Sequence, residues 1–295
     1  MIKAARNAAA EAMAWTLYHA PGLEGPYAHA AAAARRVPGL HTLFRETTDR
    51  LALRLVDAHR PFRRLRIGSV SPIFDVSNFT VKGHYFAHVP YEPATTDALL
   101  DLLEPGGTFV DIGANSGYFT VLAALRVGPK GRVYAFEPNP VVRQQLRRHI
   151  EINGIEGRVI VDDVALADRD EDDVEFFVSC WPENDGISSL TPSPETVARG
   201  GLHPDNSIRV CVRTFDTWML SATVDRIDVM KIDVEGAELQ TLQGMASTFD
   251  ANRPKRIICE TPRDSEAVAF LQSKGYKMSM LDEIRGGIPN LLFEA

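Results

Sequence analysis

Hydrophobic and polar positions change their period partway along this chain. From residue 108 onward, short apolar runs rich in β-branched residues alternate with segments in which apolar positions recur with helical spacing. The runs that predict strands are TFVDIG (108–113), RVYAFEP (132–138), RVIVDDVAL (158–166), IDVMKIDVE (227–235) and KRIICE (255–260). Because strands separated by helices form parallel sheets covered on both faces, we predict an α/β, doubly wound domain with a mostly parallel sheet.

The predicted helices have recognisable starts and stops. They follow the first, second and fourth strands, and a further helix covers SEAVAFLQSKG (265–275). Asn139 and Pro140 suit the N-cap and the first helical position after the second strand. Ahead of the first strand, Pro93 suits the start of another helix, which we expect to stop at Pro105.

The N-terminal part of the chain has a different pattern. Its first 65 residues are rich in Ala and Arg and carry several prolines, which predicts short helices separated by turns. Residues 64–90 are rich in β-branched and aromatic side chains and predict short strands or a hairpin. We therefore expect a helical extension over 1–65 and a main domain over 66–295, with a cofactor-binding core at about 91–260. The extension could cap the fold, join a homodimer, or contribute to substrate specificity.

A long polar stretch, 168–216, separates the third and fourth strands. It contains a strand-like piece, VEFFVS (174–179), and a predicted loop over 181–207. A loop of that length in a compact domain often covers an active site; DGISSL (185–190) is the candidate cover, and a flexible surface loop is the alternative. The chain ends in YKMSMLDEIRGGIPNLLFEA (276–295), which predicts a closing hairpin around its Gly-Gly pair.

Composition narrows the class of protein. The 295 residues carry a net charge of −7, which disfavours a nucleic-acid surface built from clustered Lys and Arg. The three cysteines are far apart and lack a CxxC spacing, so they predict neither a disulfide framework nor a thiolate zinc site. No stretch approaches the roughly 20 apolar residues of a membrane span. Because the N-terminal pattern lacks a secretory signal, we expect a cytoplasmic protein.

The turn after the first predicted strand, DIGANSG (111–117), predicts a ligand site. A dinucleotide fingerprint requires G-x-G-x-x-G, and Asn115 stands where its second glycine would be. Gly113 and Gly117 still allow a tight turn, whose amides and following helix dipole suit one carboxylate. Asp111 would repel a pyrophosphate but attract an ammonium group. A ligand with an α-amino and an α-carboxyl group fits both features, and S-adenosylmethionine (SAM) is such a ligand.

Acidic residues near the next strand ends extend the predicted cofactor site. Glu137 follows Gly113 by 24 positions, where a nucleotide-binding βαβ unit places the carboxylate that accepts hydrogen bonds from ribose hydroxyls. A surface carboxylate at a helix start is the alternative. Asp163, after the third strand, could accept a hydrogen bond from an adenine amino group or form a solvated turn. Glu92 is a further cofactor-binding candidate.

The segment DVMKIDVEGAELQTLQGM (228–245) is the second informative stretch. In an open doubly wound sheet the ligand lies where the strand order reverses, which would place Asp233, Glu235 and Glu238 beside the glycine turn. Glu238 could instead complement the helix dipole, and Glu235 could cap the same helix end. Asp233 is the main catalytic candidate, with a carboxylate that braces the backbone as the alternative.

Four motifs together resemble the FkbM family of SAM-dependent methyltransferases. They are VDIGANSGYFT (110–120), FEPNP (136–140), RTFDTW (213–218) and MKIDVEGAEL (230–239). The likeness covers about residues 91–260. It implies a class I methyltransferase (Rossmann-like) fold with a seven-stranded sheet in the order 3-2-1-4-5-7-6. It also implies O-methylation, commonly of sugar or natural-product hydroxyls.

Carried over by position, the resemblance implies two groups of functional residues. The cofactor site would be lined by Asp111, Gly113, Asn115, Gly117, Glu137 and Asn139. Asp233 and Glu238 would belong to the second motif. The chain departs from the family pattern at His149, where the family tends to have an asparagine.

Methyl transfer to oxygen requires that the acceptor oxygen, the methyl group and the sulfur be held in line. The expected acceptor, a hydroxylated small molecule, is a weak nucleophile and also needs a base or a metal. Asp233 and Glu260 end neighbouring predicted strands and could bind Mg²⁺ through oxygen. Alternatively, Asp233 could orient a histidine base. His84 is the candidate and shares one face of a predicted strand with His88, although a solvated hairpin face is the other interpretation.

Three other functions are compatible with parts of this pattern. An adenine N-methyltransferase on the same fold would carry an Asn/Asp-Pro-Pro-aromatic turn where this chain has IDVEG (232–236). An NAD(P) oxidoreductase would carry the middle glycine that Asn115 replaces. A non-catalytic SAM-binding protein would share every cofactor motif, and sequence patterns do not exclude it.

Overall fold

The structure is a computed structural model that describes residues 2–34, 37, 39–59, 61–78, 81, 85, 90–181, 185–282 and 288–295. The chain divides into two compact units. One consists of Met1–Ile67 with Ser71–Pro93, and the other consists of Gly68–Val70 with Ala94–Ala295. The division between an extension and a main domain at residue 65 stays a prediction.

Helices form the N-terminal part of the first unit: α1 (Ile2–His19), α2 (Glu24–Ala34) and α3 (Leu40–Asp57). Helix α1 packs on α3, with Ala10 and Ala14 of α1 and Leu51 of α3 buried. Arg6 and Glu46 form an ion pair between these helices at 2.9 Å, which contributes little because both side chains are partly exposed. The predicted N-terminal helical region is confirmed, and a homodimer through it stays a prediction.

A short antiparallel pair follows the helices of the first unit. Strand β1 (Phe62–Arg64) pairs with β2 (Ile73–Asp75), and Arg63 lies opposite Phe74. Strand β2 lies within the range 64–90 where short strands are expected, whereas β1 begins earlier, at Phe62, within the predicted helical extension. His84 and His88 lie outside the described residues, so the predicted base stays a prediction.

The remaining elements follow in chain order. The strands are β3 (Thr108–Ile112), β4 (Arg132–Phe136), β5 (Val159–Asp162), β6 (Ala165–Leu166), β7 (Glu171–Ser179), β8 (Leu202–Arg213), β9 (Val229–Ile232), β10 (Arg256–Glu260), β11 (Lys277–Met280) and β12 (Asn290–Glu294). The helices are α4 (Pro93–Leu102), α5 (Tyr118–Val127), α6 (Pro140–Ile152), α7 (Pro194–Ala198), α8 (Phe215–Ser221), α9 (Glu238–Gln243), α10 (Ala246–Ala251) and α11 (Glu266–Ser273).

Seven of these strands form one sheet in the order β11-β12-β10-β9-β3-β4-β5. Strand β3 is parallel to both β4 and β9, whereas β12 is antiparallel to β10 and β11. With the strands numbered within this sheet alone, the arrangement is the expected 3-2-1-4-5-7-6. The predicted doubly wound α/β fold with a mostly parallel seven-stranded sheet is therefore confirmed.

The central strands are apolar on both faces, as a covered parallel sheet requires. Every residue of β9 is buried, and these residues include Lys231. Asp111 on β3 is also buried, and the strand register pairs it directly with Lys231. Two residues of opposite charge therefore lie side by side in the middle of the sheet.

The third predicted strand is two strands in the structure. Strand β5 ends in the large sheet, and β6 belongs to a second sheet with the order β6-β8-β7. The loop predicted over 181–207 is wrong at its end, because β8 begins at Leu202 and pairs antiparallel with β7. The first half of β8 is largely exposed, so its hydrophobic pattern is weak. Pairing with β7, which a local pattern does not show, defines this strand.

Local sequence signals predict several element boundaries correctly. Helix α4 begins at Pro93, and Asn139 caps α6 by accepting a hydrogen bond from the amide of Val141 at 3.0 Å. Strands β11 and β12 form the predicted C-terminal hairpin, while Gly286 and Gly287 lie outside the described residues. Among the helices described, none is both long enough and apolar enough to cross a bilayer.

Candidate active site

A cleft of about 550 Å³ opens at the carboxyl ends of β3, β4 and β9. Its apolar lining includes Ile112, Phe136, Val164, Leu166, Phe176 and Leu190. Its polar lining includes Asn115, Glu137, Ser188 and Asp233. This edge is where open α/β sheets bind ligands, because the strand order reverses between β3 and its two neighbours.

The glycines of the turn after β3 are required by close packing. Gly113 has a φ of 82°, and a Cβ built on it would lie 1.8 Å from the carbonyl oxygen of Asp233. Gly117 has a φ of 90°, and its Cβ would lie 2.4 Å from Cδ1 of Leu146. Both conformations also fall in the left-handed region that favours glycine. The turn is therefore held between the end of β9 and helix α6.

Glu137 lines the cleft and braces the same turn. Its Oε2 accepts a hydrogen bond from the amide of Asn115 at 2.9 Å, and its Oε1 accepts one from the amide of Asn139 at 2.8 Å. Each carboxylate oxygen can accept more than one hydrogen bond, so Glu137 can also receive bonds from a ligand. The side chain of Asn139 caps α6. Contacts of Glu137, Asn115 and Asn139 with the cofactor stay predictions.

Asp111 lies beneath the turn and does not line the cleft. Its carboxylate accepts a hydrogen bond from Oγ1 of Thr120 at 2.5 Å, and only 1% of the residue is exposed. Burial raises the pKa of Asp111 to about 6, although the Lys231 ammonium and the Thr120 hydroxyl oppose this shift. A direct contact of Asp111 with a cofactor ammonium stays a prediction. In the structure Asp111 lies behind the turn, beside Lys231 of the neighbouring strand and bonded to Thr120.

Asp233 lines the cleft, and Lys231 holds its carboxylate. The Lys231 ammonium lies 2.5 Å from Oδ2 of Asp233 and 4.7 Å from the ring centroid of Phe119. Lys231 is almost fully buried, while 21% of the Asp233 side chain is exposed. The other oxygen, Oδ1, accepts no hydrogen bond within the described part of the chain. Asp233 thus presents a fixed carboxylate to the cleft.

Lys231 is absent from the residues predicted from the sequence, although a signal for it exists. It interrupts an otherwise apolar strand, and a charged residue at such a position is rarely buried without a partner. It also precedes Asp233 by two positions, which places both side chains on one face of an extended segment. A search for same-face opposite charges would have paired them.

Glu238 lies in the first turn of α9 and does not line the cleft. Its Oε1 accepts a hydrogen bond from the amide of Gly236 at 2.9 Å. Burial raises the pKa of the Glu238 carboxyl, although that hydrogen bond opposes the shift. These contacts support the alternative in which Glu238 stabilises the start of the helix, and a catalytic role for Glu238 stays a prediction.

The segment 185–190 forms part of the cleft wall. Gly186, Ser188 and Leu190 line the cleft. Ser189 is buried, and its hydroxyl donates a hydrogen bond to the carbonyl of Glu235 at 2.6 Å. Glu235 itself adopts a φ of 54°, in the turn after β9. The segment 185–190, which we expected to cover the site, is therefore hydrogen-bonded to the turn that follows Asp233.

The other predicted site residues take separate positions. Asp163 has a largely exposed side chain, 3.7 Å from Arg143, and does not line the cleft. A carboxylate oxygen of Glu260 lies within 4.8 Å of one of Asp233. Glu92 belongs to the first unit, where its φ is 41°. Cofactor contacts of Asp163 and Glu92 stay predictions.

Comparison with models of known protein families assigns this chain to a family. The model of the methyltransferase FkbM domain matches residues 111–278, which is more than half of the chain. The chain belongs to this family. FkbM-domain proteins are SAM-dependent methyltransferases, so the predicted resemblance is confirmed. Membership favours methyl transfer over the NAD(P) oxidoreductase alternative.

The chain is also similar to two relatives named as methyltransferases and, more distantly, to one solved structure. The 31-O-demethyl-FK506 methyltransferase FkbM of Streptomyces tacrolimicus is 27% identical over 59% of this chain and 74% of its own. The 2-O-methyltransferase NoeI of Sinorhizobium fredii is 27% identical over 52% of this chain and 64% of its own. A crystal structure of a methyltransferase FkbM from Methylobacillus flagellatus aligns with a TM-score of 0.43 and 14% identity. That alignment covers 73% of this chain and 54% of the crystallised one.

Proposed function

We propose that this FkbM-family protein transfers a methyl group from SAM to a hydroxyl oxygen of a small molecule, such as a sugar or a natural product. One observation carries the proposal. The Asp233 carboxylate lines the same cleft as the glycine turn and Glu137, and a buried lysine fixes one of its two oxygens. A cofactor site and a proton acceptor thus share one cleft.

The residues present fit SAM. Gly113 packs against the Asp233 carbonyl, where a Cβ would overlap, and it also lines the cleft, so the turn offers a ligand backbone without a side chain at this position. Glu137 can accept hydrogen bonds from ribose hydroxyls, and the apolar wall that includes Val164, Phe176 and Leu190 suits the adenine ring. Bound SAM would supply an electrophilic methyl group.

Asp233 would act on the acceptor. An aliphatic hydroxyl becomes nucleophilic as its proton moves away, and a carboxylate within hydrogen-bond reach can accept that proton. Lys231 restrains one oxygen, which keeps the carboxylate in one orientation and leaves Oδ1 for the hydroxyl. The segment 185–190 would limit water in the cleft, which strengthens the electrostatic interactions inside it.

The names of the relatives support an oxygen acceptor. NoeI is a 2-O-methyltransferase, and the Streptomyces enzyme acts on a 31-O-demethyl compound. A hexuronic acid methyltransferase, AglP of Haloferax volcanii, is 28% identical over 52% of this chain and 56% of its own length. We therefore place hydroxylated sugars, uronic acids and other natural products first among candidate acceptors.

The test combines binding and turnover. Purified protein is titrated with S-adenosylhomocysteine (SAH) by calorimetry and then incubated with methyl-labelled SAM and a panel of hydroxylated acceptors. We expect SAH binding, label transfer to at least one acceptor, and a loss of about 100-fold or more in turnover for Asp233→Asn with SAH affinity retained. Asp228→Asn is the control, because Asp228 precedes the other end of β9 and pairs with Lys255. Full turnover by Asp233→Asn would refute the base.

The alternatives give different outcomes in the same assay. Transfer to amines but not to hydroxyls would identify an N-methyltransferase on the same fold. Tight SAH binding without transfer to any acceptor would favour a non-catalytic SAM-binding protein.

A magnesium-dependent mechanism has little support from the site. The Lys231 ammonium already neutralises one oxygen of Asp233 at 2.5 Å, and a cation bound beside Glu260 would be repelled by it. We therefore expect full turnover in excess chelator. Loss of turnover that added Mg²⁺ restores would reinstate Asp233 and Glu260 as ligands.

A further inference from the structure

Helix α6 carries a buried histidine that contacts the glycine turn. His149 is 1% exposed, and its Nδ1 lies 2.7 Å from the carbonyl oxygen of Ser116. Because a carbonyl oxygen only accepts hydrogen bonds, Nδ1 must carry the hydrogen. We infer that His149 is a positioning residue for cofactor binding, which acts by fixing the peptide group between Ser116 and Gly117.

Both ends of that peptide group are fixed. The Ser116 carbonyl accepts the hydrogen bond from His149, and the Gly117 amide donates one to the carbonyl of Ala114 at 2.9 Å. A peptide plane with both polar ends bonded cannot rotate without breaking a hydrogen bond in a dry environment, which is costly. The orientation of this plane sets the backbone between Asn115 and the start of α5.

Helix α6 contacts the turn through a second residue one turn earlier. Leu146 lies so close to Gly117 that a Cβ there would be 2.4 Å from Cδ1. A spacing of three residues places Leu146 and His149 on one face of the helix. Leu146 therefore supplies the packing against the turn, and His149 supplies the directional hydrogen bond.

The start of the same helix is tied to the turn as well. The carboxylate of Glu137 accepts hydrogen bonds from the amides of Asn139, the N-cap of α6, and Asn115. The turn is thus attached to α6 at two points, through Glu137 at Asn115 and through His149 at Ser116. Removal of the second attachment leaves the first in place, so the turn should persist but lose its fixed orientation.

His149 does not line the cleft, so its effect on a ligand must pass through the turn. The inference rests on the proposed SAM site, and SAH is the probe. The principal variant is His149→Leu, which fills the space but cannot donate a hydrogen bond. His149→Asn is the conservative variant, because the amide nitrogen of asparagine occupies the position of Nδ1 and can donate to the same carbonyl.

A matched control separates positioning from general stability. Tyr276 is also buried, and its hydroxyl donates to the carbonyl of Pro254 at 2.5 Å, away from the residues of the cleft. Tyr276→Phe therefore removes one buried hydrogen bond from a side chain to a carbonyl without touching the turn. Its thermal stability should fall as that of His149→Leu does.

Calorimetry with SAH and hydrogen exchange of the amides of residues 115–118 provide the readouts. We expect His149→Leu to weaken SAH binding about tenfold and to speed exchange in the turn, as the loss of one buried hydrogen bond predicts. His149→Asn should stay within about threefold of wild type, and Tyr276→Phe should bind SAH as wild type does. If His149→Leu does not fold, His149→Gln replaces it, because its donor lies one bond farther from the helix and misses the carbonyl.

The outcomes distinguish this inference from the proposed function. Wild-type affinity in a folded His149→Leu variant, or in the His149→Gln variant that replaces it, would overturn the positioning role and leave the SAM site standing. An equal loss of affinity in Tyr276→Phe would also overturn it, because the effect would then follow stability alone. If wild type itself does not bind SAH, the proposed function fails. Unchanged exchange of the turn amides in ligand-free His149→Leu would then still refute the role of His149.

Discussion

Two turns meet at the cleft, and they contribute to it in different ways. The turn after β3 acts through its backbone, since Gly113 and Gly117 have positive φ and side chains outside the turn hold its peptide groups. The turn after β9 acts through charge, since Asp233 presents a carboxylate that buried Lys231 restrains. The first turn contributes mainly backbone to the cleft, and the second contributes a charged side chain.

The strands that lead into the two turns also differ in how their charged side chains relate to the cleft. Asp111 and Lys231 are register partners on β3 and β9, yet only the β9 side chain bonds to a residue of the cleft. Asp111 is bonded to Thr120 instead. Asp111, two residues before Gly113, therefore forms its hydrogen bond in the protein interior, whereas Asp233, directly after β9, lines the cleft.

The largest expected effect tests the contact between the turns. Gly113→Ala places a Cβ 1.8 Å from the Asp233 carbonyl, a main-chain atom that cannot move alone. We expect a loss of roughly 3 kcal/mol or more in the free energy of unfolding and no measurable SAH binding. Gly154→Ala is the control: its φ of 62° is the left-handed conformation usual for the residue after a helix C-cap, here Asn153 of α6, and nothing lies within 4 Å of the new Cβ. It should cost only about 1–2 kcal/mol in urea denaturation. Equal losses would show that backbone conformation, not the contact, decides.

The next effect tests the buried charge behind the second turn. Lys231→Met leaves Asp233 and Asp111 without their shared cation, so the free energy of unfolding should fall by about 3 kcal/mol. Lys255→Met is the control, because its pair with Asp228 has the same short geometry but a Lys side chain that is 57% exposed. That loss should stay below about 1 kcal/mol. Similar losses in the two variants would contradict a special role for the buried pair.

A smaller effect concerns the pH dependence of Asp111. Its pKa is about 6 in the folded protein and near 3.8 in the unfolded chain, so the folded state binds more protons between these values. Stability from this group is therefore present at low pH and is lost as the pH rises from about 4 to about 6. Asp111→Asn should remove about 3 kcal/mol of that decline in denaturation curves. An unchanged slope in the variant would show that Asp111 does not titrate in this range.

An opposite sign is expected for exposed Asp170. A hydrogen bond from Thr217 lowers the pKa of its carboxyl, so its contribution is present at neutral pH and is lost as the pH falls. Asp170→Asn is therefore the comparison variant for the pH series. Because Asp170 titrates below pH 4, Asp170→Asn should leave the decline in the free energy of unfolding between pH 4 and 6 unchanged.

The smallest effect tests the segment fastened to the second turn. Ser189→Ala removes the hydrogen bond to the Glu235 carbonyl and the one that its Oγ accepts from the Thr191 amide. We expect hydrogen exchange of residues 186–191 to speed up about tenfold. Ser265→Ala, which removes the cap of α11, should cost stability without changing exchange in that segment. Unchanged exchange in Ser189→Ala would show that the two backbone hydrogen bonds between Ser189 and Phe177, each 2.9 Å long, are enough to hold the segment.

The sequence predicted the elements that depend on local chemistry. Pro93 and Asn139 begin their helices where their backbone preferences require. It was less successful with β8, whose first half is exposed and whose hydrogen-bonding partner lies more than twenty residues away. Alternation of hydrophobic and polar residues predicts a strand only where one face of that strand is buried.

The candidate site shows the same limit. Glycine spacing and strand-end carboxylates predicted Gly113, Glu137 and Asp233 as neighbours, and all three line one cleft. The sequence does not separate the surroundings of Asp111 and Asp233, two acidic residues near strand ends. In the structure Asp111 is bonded to Thr120 in the interior, whereas Asp233 is bonded to Lys231 and lines the cleft.

By itself, the sequence determined the alternation of strands and helices, the order of the motifs, and membership of the FkbM methyltransferases, because these follow from local periodicity and residue spacing. The tertiary structure decided which carboxylate faces the cleft, that Lys231 restrains it, and that His149 contacts the glycine turn. Those outcomes depend on burial and on contacts between residues far apart in the chain, which the energies of packing and desolvation set only when the whole domain assembles.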